Sequence, residues 1–160
     1  MNTVNNLTIE QVRDLEPSYN QSFAGTLYVS ESTIPGAANG CFAASAISNG
    51  TIIGTYAGYA HDHVQFSSEG KKRFSKIHSI YTLTFKSRHP ANNSYSEYIT
   101  INGLYGGNEL RYINDCSEHW GFGEENIDRN VAINSNAEVY AVSDINPDEE
   151  LFLDYSLEYE

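Results

Sequence analysis

Short apolar and β-branched runs, separated by frequent turn residues, dominate the pattern of hydrophobic and polar positions along this chain. Residues 81–85 (Tyr-Thr-Leu-Thr-Phe) alternate with a period of two, as a half-buried β-strand requires. Turns such as Asn49-Gly50 and Asn102-Gly103 separate the runs. The pattern predicts a mostly β fold of several short β-sheets with few short helices. β-Branched and aromatic content predicts the remaining strands at 26–29, 51–56, 98–101, 130–133 and 138–142.

Two segments carry helical signals. Thr8, followed by acid in the first turn, resembles a helix N-cap, and Pro17 limits how far that helix runs. The glycine pair 106–107, before a short apolar patch, predicts a tight turn and one helical turn. A chain of 160 residues suits one domain, and no repeat or linker divides it. The predicted organisation is a helical lead-in over residues 1–26 and one domain over 27–160.

The charge balance narrows the class of partner. Nine Lys and Arg against 21 Asp and Glu give a net charge of −12. Such a surface repels phosphate, so direct nucleic-acid binding is not expected, whereas basic protein partners are attracted. Solubility alone is the other explanation of the charge, and composition leaves both open. The basic cluster within residues 71–76 is expected on a solvated loop or helix face.

The cysteine count and the hydropathy exclude further classes. Cys41 and Cys116 are too few for a four-cysteine zinc site or a dense disulfide framework, so two free thiols are expected. No hydrophobic stretch approaches the ~18 residues of a membrane helix, and the polar N-terminus lacks the apolar core of a signal peptide. An intracellular, soluble protein without a membrane partner is the expectation.

Four segments, in chain order, carry a more specific pattern. They are Ile-Pro-Gly-Ala-Ala-Asn-Gly-Cys-Phe-Ala (34–43), Gly-Thr-Tyr-Ala-Gly (54–58), Gly-Asn-Glu-Leu-Arg-Tyr-Ile-Asn-Asp-Cys (107–116) and Asp-Glu-Glu-Leu-Phe-Leu-Asp-Tyr (148–155). Together they resemble the signature segments of SET-domain protein lysine methyltransferases, over most of the chain. The resemblance is to small SET proteins without cysteine-rich flanking segments. It implies a fold in which the last segment forms a pseudoknot with the loop made by the third.

The resemblance also implies roles for individual residues. Tyr155 and Tyr81 take catalytic positions, with Tyr155 at the site of methyl transfer, while Tyr56 and Leu153 line a channel for the substrate lysine. A narrow apolar channel lowers the pKa of the lysine amine from about 10.4 and so favours the neutral nucleophile. No metal is implied. The residues implied to bind the cofactor, S-adenosyl-L-methionine, are Ala38, Asn39, Gly40, Phe42, Arg111, Asn114 and Asp115.

Three positions depart from the pattern of the family. Ala38 stands where glycine is usual, and alanine serves there only if the position keeps ordinary backbone dihedrals. Asp115 replaces a histidine, whose structural hydrogen bonds a carboxylate reproduces only in part. Cys116 replaces a serine. Residues 118–125 form an insertion, in which Trp120 is either a lid over the cofactor or an aromatic anchor for the loop.

The implied function is methyl transfer to a lysine ε-amine of a basic protein, such as a histone in chromatin or a ribosomal-protein tail. The implied location is the nucleus in a eukaryote, and otherwise the cytoplasm or, after delivery, a host cell. A catalytically inactive SET-fold module for basic tails and an unrelated β-rich adaptor are the alternatives. The cover over the cofactor is expected from the Trp120 loop, from residues 1–26 or from a second copy of the chain in a homodimer.

Overall fold

The structure of the chain is a computed structural model that describes residues 20–62, 81–88, 96–103, 106–116 and 127–155. Within these ranges the mostly β fold predicted from the sequence is confirmed. Ten short strands and one 3₁₀ helix follow one another: β1 (Leu27–Glu31), β2 (Asn39–Ala43), β3 (Ile52–Thr55), β4 (Tyr59–Asp62), β5 (Thr82–Arg88), β6 (Ser96–Asn102), η1 (Glu109–Tyr112), β7 (Asn114–Asp115), β8 (Val131–Ile133), β9 (Glu138–Ala141) and β10 (Phe152–Leu153).

The described strands form four small sheets. β1 and β2 make an antiparallel pair, and β3–β9–β8 and β4–β6–β5 are antiparallel three-stranded sheets. β7 pairs in parallel with β10, so that Asn114 lies beside Phe152 and Asp115 beside Leu153. Two segments far apart in the sequence are therefore neighbours. The pseudoknot stays a prediction, because residues 117–126, in the loop between them, lie outside the described residues.

The hydrophobic core lies where the sheets meet. β2, η1, β8, β9 and the start of the last segment all contribute to it, so the small sheets share one core instead of each burying its own face. The side chains with no exposed surface include Cys41, Leu110, Val131, Val139 and Leu151.

The segment before β1 packs on β3 and η1. The ring of Phe23 occupies the space above Gly54, where an added Cβ would lie 2.2 Å from Phe23 Cζ. The backbone N–H groups of Ser22 and Phe23 donate to the buried carboxylate of Glu109 at 3.1 and 2.9 Å. These contacts fix the start of the described chain on the core. The predicted helix of the lead-in, and its boundary, stay predictions because residues 1–19 lie outside the described ranges.

Asn130 ties the C-terminal segment to β8. Its buried side chain donates from Nδ2 to the carbonyl of Glu150 at 2.8 Å and accepts the backbone N–H of Phe152 at Oδ1, also at 2.8 Å. Its own backbone N–H donates to the carbonyl of Phe152 at 3.1 Å. One amide side chain thus supplies the hydrogen bonds that a neighbouring strand would otherwise provide.

Most of the predicted strands are confirmed, with ends shifted by a few residues, and the predicted helical turn is η1, capped by the side chain of Asn108. The sequence pattern does not predict β4, since Tyr-Ala-His-Asp has no apolar alternation. β4 is an edge strand, defined by its pairing with β6. Trp120 and the basic cluster at 71–76 lie outside the described residues. No described helix is long and apolar enough to cross a membrane.

We expect Asn130→Ala to lower the free energy of unfolding by about 2–4 kcal/mol. The substitution removes the side-chain partners of the buried carbonyl of Glu150 and of the buried N–H of Phe152. Denaturant unfolding followed by tryptophan fluorescence or circular dichroism measures this. Asn136→Ala is the matched control, because Asn136 lies exposed in the β8–β9 turn, and it should stay within about 0.5 kcal/mol of wild type. Equal effects of the two substitutions would contradict the assigned role of Asn130.

Candidate active site

The carboxylate of Glu150 lies where three segments that are distant in sequence meet, and it is 3% exposed. Ser32 Oγ and Asn114 Nδ2 donate to Oε1 at 2.7 and 3.0 Å. Thr33 donates its backbone N–H, at 2.7 Å, and its hydroxyl to Oε2. Four donors thus stabilise a carboxylate that has been removed from water. They join the β1–β2 loop, β7 and the segment before β10 at one point.

Gly40 leaves the space that this carboxylate occupies. A Cβ at position 40 would lie 2.1 Å from Glu150 Oε1. The side chain of Glu150 therefore accounts for a glycine at position 40. The sequence alone explains this glycine by close approach of the backbone to the cofactor. The next-but-one residue, Phe42, is buried and stacks on Tyr28 with ring centroids 5.4 Å apart. Its ring thus packs within the protein.

Ala38 adopts the left-handed backbone conformation, with φ at +61°. The condition that alanine keeps ordinary dihedrals at this position is therefore not met. The left-handed region costs an L-residue roughly 1–2 kcal/mol, which a folded domain tolerates where its neighbours hold the backbone. Here the carbonyl of Ala38 accepts the N–H of Ser32 at 2.8 Å. Alanine takes the conformation that favours glycine, and the path of the loop does not depend on glycine at this position.

Asn114 lies half-buried at the centre of the junction. Its Nδ2 lies within hydrogen-bonding distance of three acceptors, the carbonyl of Asn39 at 3.0 Å, Ser32 Oγ at 3.1 Å and Glu150 Oε1 at 3.0 Å. The NH₂ carries two hydrogens, so one of them is shared between two acceptors. Asn114 Oδ1 accepts no hydrogen bond from any described residue. The amide nitrogen is thus committed to the protein, and the amide oxygen remains as the acceptor that a ligand can reach.

Tyr155 is fixed by two residues of the segment that follows η1. Its hydroxyl donates to the carbonyl of Ile113 at 2.8 Å, and its backbone N–H donates to Asp115 Oδ1 at 3.1 Å. Ile113 and Asp115 flank Asn114. The short segment that holds the predicted catalytic tyrosine therefore also carries the predicted cofactor ligand. Since the hydroxyl proton is used, the oxygen can act toward any other group only as an acceptor.

Tyr81 lies in a second cluster of aromatic side chains. Its carbonyl accepts the hydroxyl of Tyr56 at 3.0 Å and the N–H of Gly103 at 2.8 Å. Its ring meets that of Tyr112 edge to face at 5.6 Å, and the guanidinium of Arg111 lies 4.7 Å from its centroid. Burial raises the pKa of Tyr56 well above its ordinary value, so its hydroxyl remains a neutral donor.

Arg111 and Leu153 are among the predicted site residues that are almost fully buried. Arg111 is 2% exposed, donates to the carbonyl of Gly103 at 3.2 Å and to the hydroxyl of Tyr112 at 2.7 Å, and stacks on Tyr81. Little of its surface is therefore open to a ligand, and its expected contact with the cofactor stays a prediction. Leu153 is 1% exposed and packs in the core, and its place in the lysine channel stays a prediction.

Both cysteines are free thiols, as the sequence predicts. Burial raises the pKa of Cys41 far above its ordinary value, and the nearby carboxylates of Glu109 and Glu150 add to the shift. Burial also raises the pKa of Cys116 to about 11, with further contributions from Asp154 and Asp115. Neither thiol is therefore an activated nucleophile at neutral pH. The described part of the chain contains no group of three or more His, Cys, Asp or Glu side chains that could hold a metal ion.

The structure thus gathers the predicted residues into two groups. Asn39, Gly40 and Asn114 meet at Glu150, while Tyr56, Tyr81 and Arg111 meet in the aromatic cluster. Tyr155 adds to the raised pKa of Tyr56, after burial. Residue-by-residue sequence reasoning does not identify Glu150, Ser32, Tyr112 or Asn130 as participants. Glu150 and Tyr112 lie in segments that match the family pattern, which is the signal that could have identified them.

Comparisons with known proteins agree with this architecture. A family model described as SET domain matches residues 38–156. The structure of ctPRC2 in an autoinhibited conformation bound to S-adenosylmethionine is 21% identical, with a TM-score of 0.57 over 84% of this chain and 15% of that chain. The Neurospora SET domain protein DIM-5, a histone lysine methyltransferase, is 18% identical, with a TM-score of 0.54 over 81% of this chain and 51% of that chain. Chaetomium thermophilum Polycomb Repressive Complex 2 bound to GSK126 is 20% identical, with a TM-score of 0.53 over 82% and 16%.

These likenesses show the fold. The chain spans 15% of the first of these proteins and about half, 51%, of DIM-5. No curated protein matches the sequence.

We expect Ala38→Gly to raise the free energy of unfolding by about 0.5–1 kcal/mol. Relief of the left-handed strain, roughly 1–2 kcal/mol, exceeds the entropic cost of a glycine in the unfolded chain, roughly 0.4–1 kcal/mol. Ala37→Gly is the control, since Ala37 has an ordinary φ, and it should be destabilising. Denaturant titration of both variants checks the pair, and a loss of stability in Ala38→Gly would contradict the backbone assignment.

Alkylation of Cys116 should report its raised pKa. A shift from 9.0 to about 11 lowers the thiolate fraction at pH 8 by about 100-fold, because the thiol stays protonated until the pH approaches the shifted value. We expect iodoacetamide to label Cys116 at pH 8 about 100-fold more slowly in the native protein than in the denatured protein. Peptide mass spectrometry distinguishes it from Cys41. Equal native and denatured rates would show an unshifted thiol.

Proposed function

The chain belongs to the SET domain family, and from that premise we propose that it is an S-adenosylmethionine-dependent methyltransferase acting on a lysine ε-amine of a protein. The observation that carries the proposal is the environment of Tyr155. Its hydroxyl donates to Ile113 and its N–H to Asp115, on either side of Asn114. The residues for methyl transfer and for cofactor binding are therefore held by the same few backbone positions.

The residues around Asn114 fit the amino-acid end of S-adenosylmethionine. Asn114 Oδ1 is an acceptor that no described residue uses, and an ammonium group supplies donors only. Asn39 and Gly40 lie beside it and would hold the cofactor by their backbone. Bound there, S-adenosylmethionine supplies a methyl group activated by a sulfonium.

The aromatic cluster supports the lysine side of the reaction. Tyrosine rings desolvate an incoming ammonium and lower the pKa of the lysine, which favours the neutral amine. Tyr155 offers hydroxyl lone pairs to that amine, since its proton is held by Ile113. The hydroxyl of Tyr56 donates to the carbonyl of Tyr81. These two residues therefore form the wall of the proposed lysine channel. Alignment and preorganised dipoles then supply most of the rate gain.

The proposed substrate class is a basic protein segment, such as a histone or ribosomal-protein tail. A net charge of −12 attracts such segments and increases the rate of encounter. The charge therefore has a role beyond solubility under this proposal. One of the structural neighbours, DIM-5, is a histone lysine methyltransferase.

A module that binds basic tails without catalysis is the second candidate, favoured by the departures at Ala38, Asp115 and Cys116. The local geometry weighs against it. Asp115 accepts the N–H of Tyr155, Cys116 donates its backbone N–H to Leu153 at 3.0 Å, and Ala38 takes the glycine conformation. Asp115 and Cys116 preserve the backbone pairing next to Tyr155, and Ala38 preserves the path of its own loop, which supports a working enzyme.

We expect Tyr155→Phe to lower methyl transfer by about 100-fold or more, because it removes a preorganised polar group from the reacting centre. Purified protein, labelled S-adenosylmethionine and a mixture of core histones and ribosomal proteins provide the assay. Tyr140→Phe is the matched control, since Tyr140 lies half-buried on β9 in the sheet with β3 and β8, and it should retain wild-type transfer.

Calorimetry on the same variants separates the outcomes. Tyr155→Phe should bind S-adenosylmethionine with nearly wild-type affinity, since the hydroxyl acts at the reacting centre. Cofactor binding by wild type without transfer to any lysine-rich protein would favour the binding module. A wild-type protein that neither binds the cofactor nor transfers a methyl group would overturn the enzymatic proposal.

A further inference from the structure

The orientation of the Asn114 amide is determined by its partners. The carbonyl of Asn39 and the carboxylate of Glu150 can only accept hydrogen bonds, so the group that faces them must be the NH₂. Rotating the amide by half a turn would direct its oxygen at two other oxygens. The network therefore fixes which end of the amide points away from the protein, and that end is Oδ1.

Glu150 is the charged member of this pair of acceptors, and its own position is strongly constrained. Thr33 binds Oε2 through its backbone and hydroxyl, and Ser32 binds Oε1. The backbone on both sides is paired with β2: the N–H of Leu151 donates to the carbonyl of Cys41 at 2.8 Å, and the N–H of Ala43 donates to the carbonyl of Glu149 at 2.9 Å. A carboxylate held in this way cannot follow Asn114 if the amide moves.

We propose that Glu150 is a positioning residue for the cofactor: its carboxylate holds Asn114 Nδ2 so that Oδ1 is presented to the amino group of S-adenosylmethionine. The inference rests on the proposed function and deepens it. Glu150 does not itself touch the ligand. It acts through Asn114, and its negative charge also polarises the amide so that Oδ1 becomes a better acceptor for a cation.

Replacement of Glu150 by glutamine should place a hydrogen-bond donor where the carboxylate presents an acceptor. If the new amide oxygen keeps the two donors of Thr33, its NH₂ faces Asn114 Nδ2, donor against donor. The Asn114 amide then loses its strongest partner and is driven to rotate, while the carbonyl of Asn39 opposes the rotation. The rotated amide turns Oδ1 away from the ligand, and the unrotated amide faces donor against donor and so holds Oδ1 less firmly.

The experiment compares two ligands that differ by one group. S-adenosylhomocysteine carries the amino group, and its deamino analogue keeps the carboxylate and the adenosyl part but lacks the amine. Calorimetry measures both affinities for wild type, Glu150→Gln and Glu109→Gln. Glu109 is the matched control, because it is an equally buried carboxylate satisfied by backbone N–H groups, in contact with Ser22 and Phe23 instead of Asn114.

We expect wild type and Glu109→Gln to prefer S-adenosylhomocysteine over the analogue by about 10- to 100-fold, the range for hydrogen bonds to charged groups. In Glu150→Gln this preference should fall to about threefold or less, with the analogue bound nearly as in wild type. A loss of affinity for both ligands alike would show a merely structural role and overturn the inference. So would an unchanged preference.

The remaining outcomes are also informative. If Glu150→Gln does not fold by circular dichroism, Ser32→Ala replaces it, since it removes one donor to Glu150 Oε1 and should reduce the preference in the same direction by a smaller factor. Wild type that binds both ligands equally would overturn this inference and leave the proposed function intact. Wild type that binds neither, nor S-adenosylmethionine, would overturn both.

Discussion

A buried carboxylate satisfied by neutral donors is the interaction on which the rest of this structure depends. Removal of the charge of Glu150 from water costs several kcal/mol unless hydrogen bonds replace the hydration. The replacements come from Ser32, Thr33 and Asn114, which are separated from it by 118, 117 and 36 positions. None of these donors is available until three segments have come together. The carboxylate is therefore tolerated only in the native arrangement, and it favours that arrangement over alternative pairings of the short strands.

The segment that carries Glu150 serves the fold and the site together. Its backbone extends the β1–β2 sheet through Cys41 and Ala43, its carbonyl is held by Asn130, and its last strand pairs with β7. Tyr155 follows two residues after that strand. The precision of the site thus derives from strand pairing in a part of the chain with little local structure of its own. Under the proposed function, loss of stability in this segment therefore entails loss of activity.

Sequence patterns predict the elements of this fold better than its contacts. Strands such as β5 and β9 carry β-branched or alternating residues, and the glycine pair before η1 marks its turn, because these signals are local. β4 is missed because pairing with β6 defines it. The motif segments identify Asn114 and Tyr155, but no local pattern shows that Gly40 must be glycine because of Glu150, or that Arg111 stacks on Tyr81, since those partners are remote in sequence.

The same geometry explains why asparagine stands at position 114. The residue there must donate to a carboxylate and to the carbonyl of Asn39 while it offers an acceptor outward. Aspartate would place a second negative charge about 3 Å from the first, so that one of the two would have to take up a proton. Serine has one donor and is too short to satisfy both acceptors. Only an amide combines two donors with an acceptor on the opposite side. At the adjacent position, Asp115 accepts the N–H of Tyr155, a role that a carboxylate can fill although it departs from the family pattern.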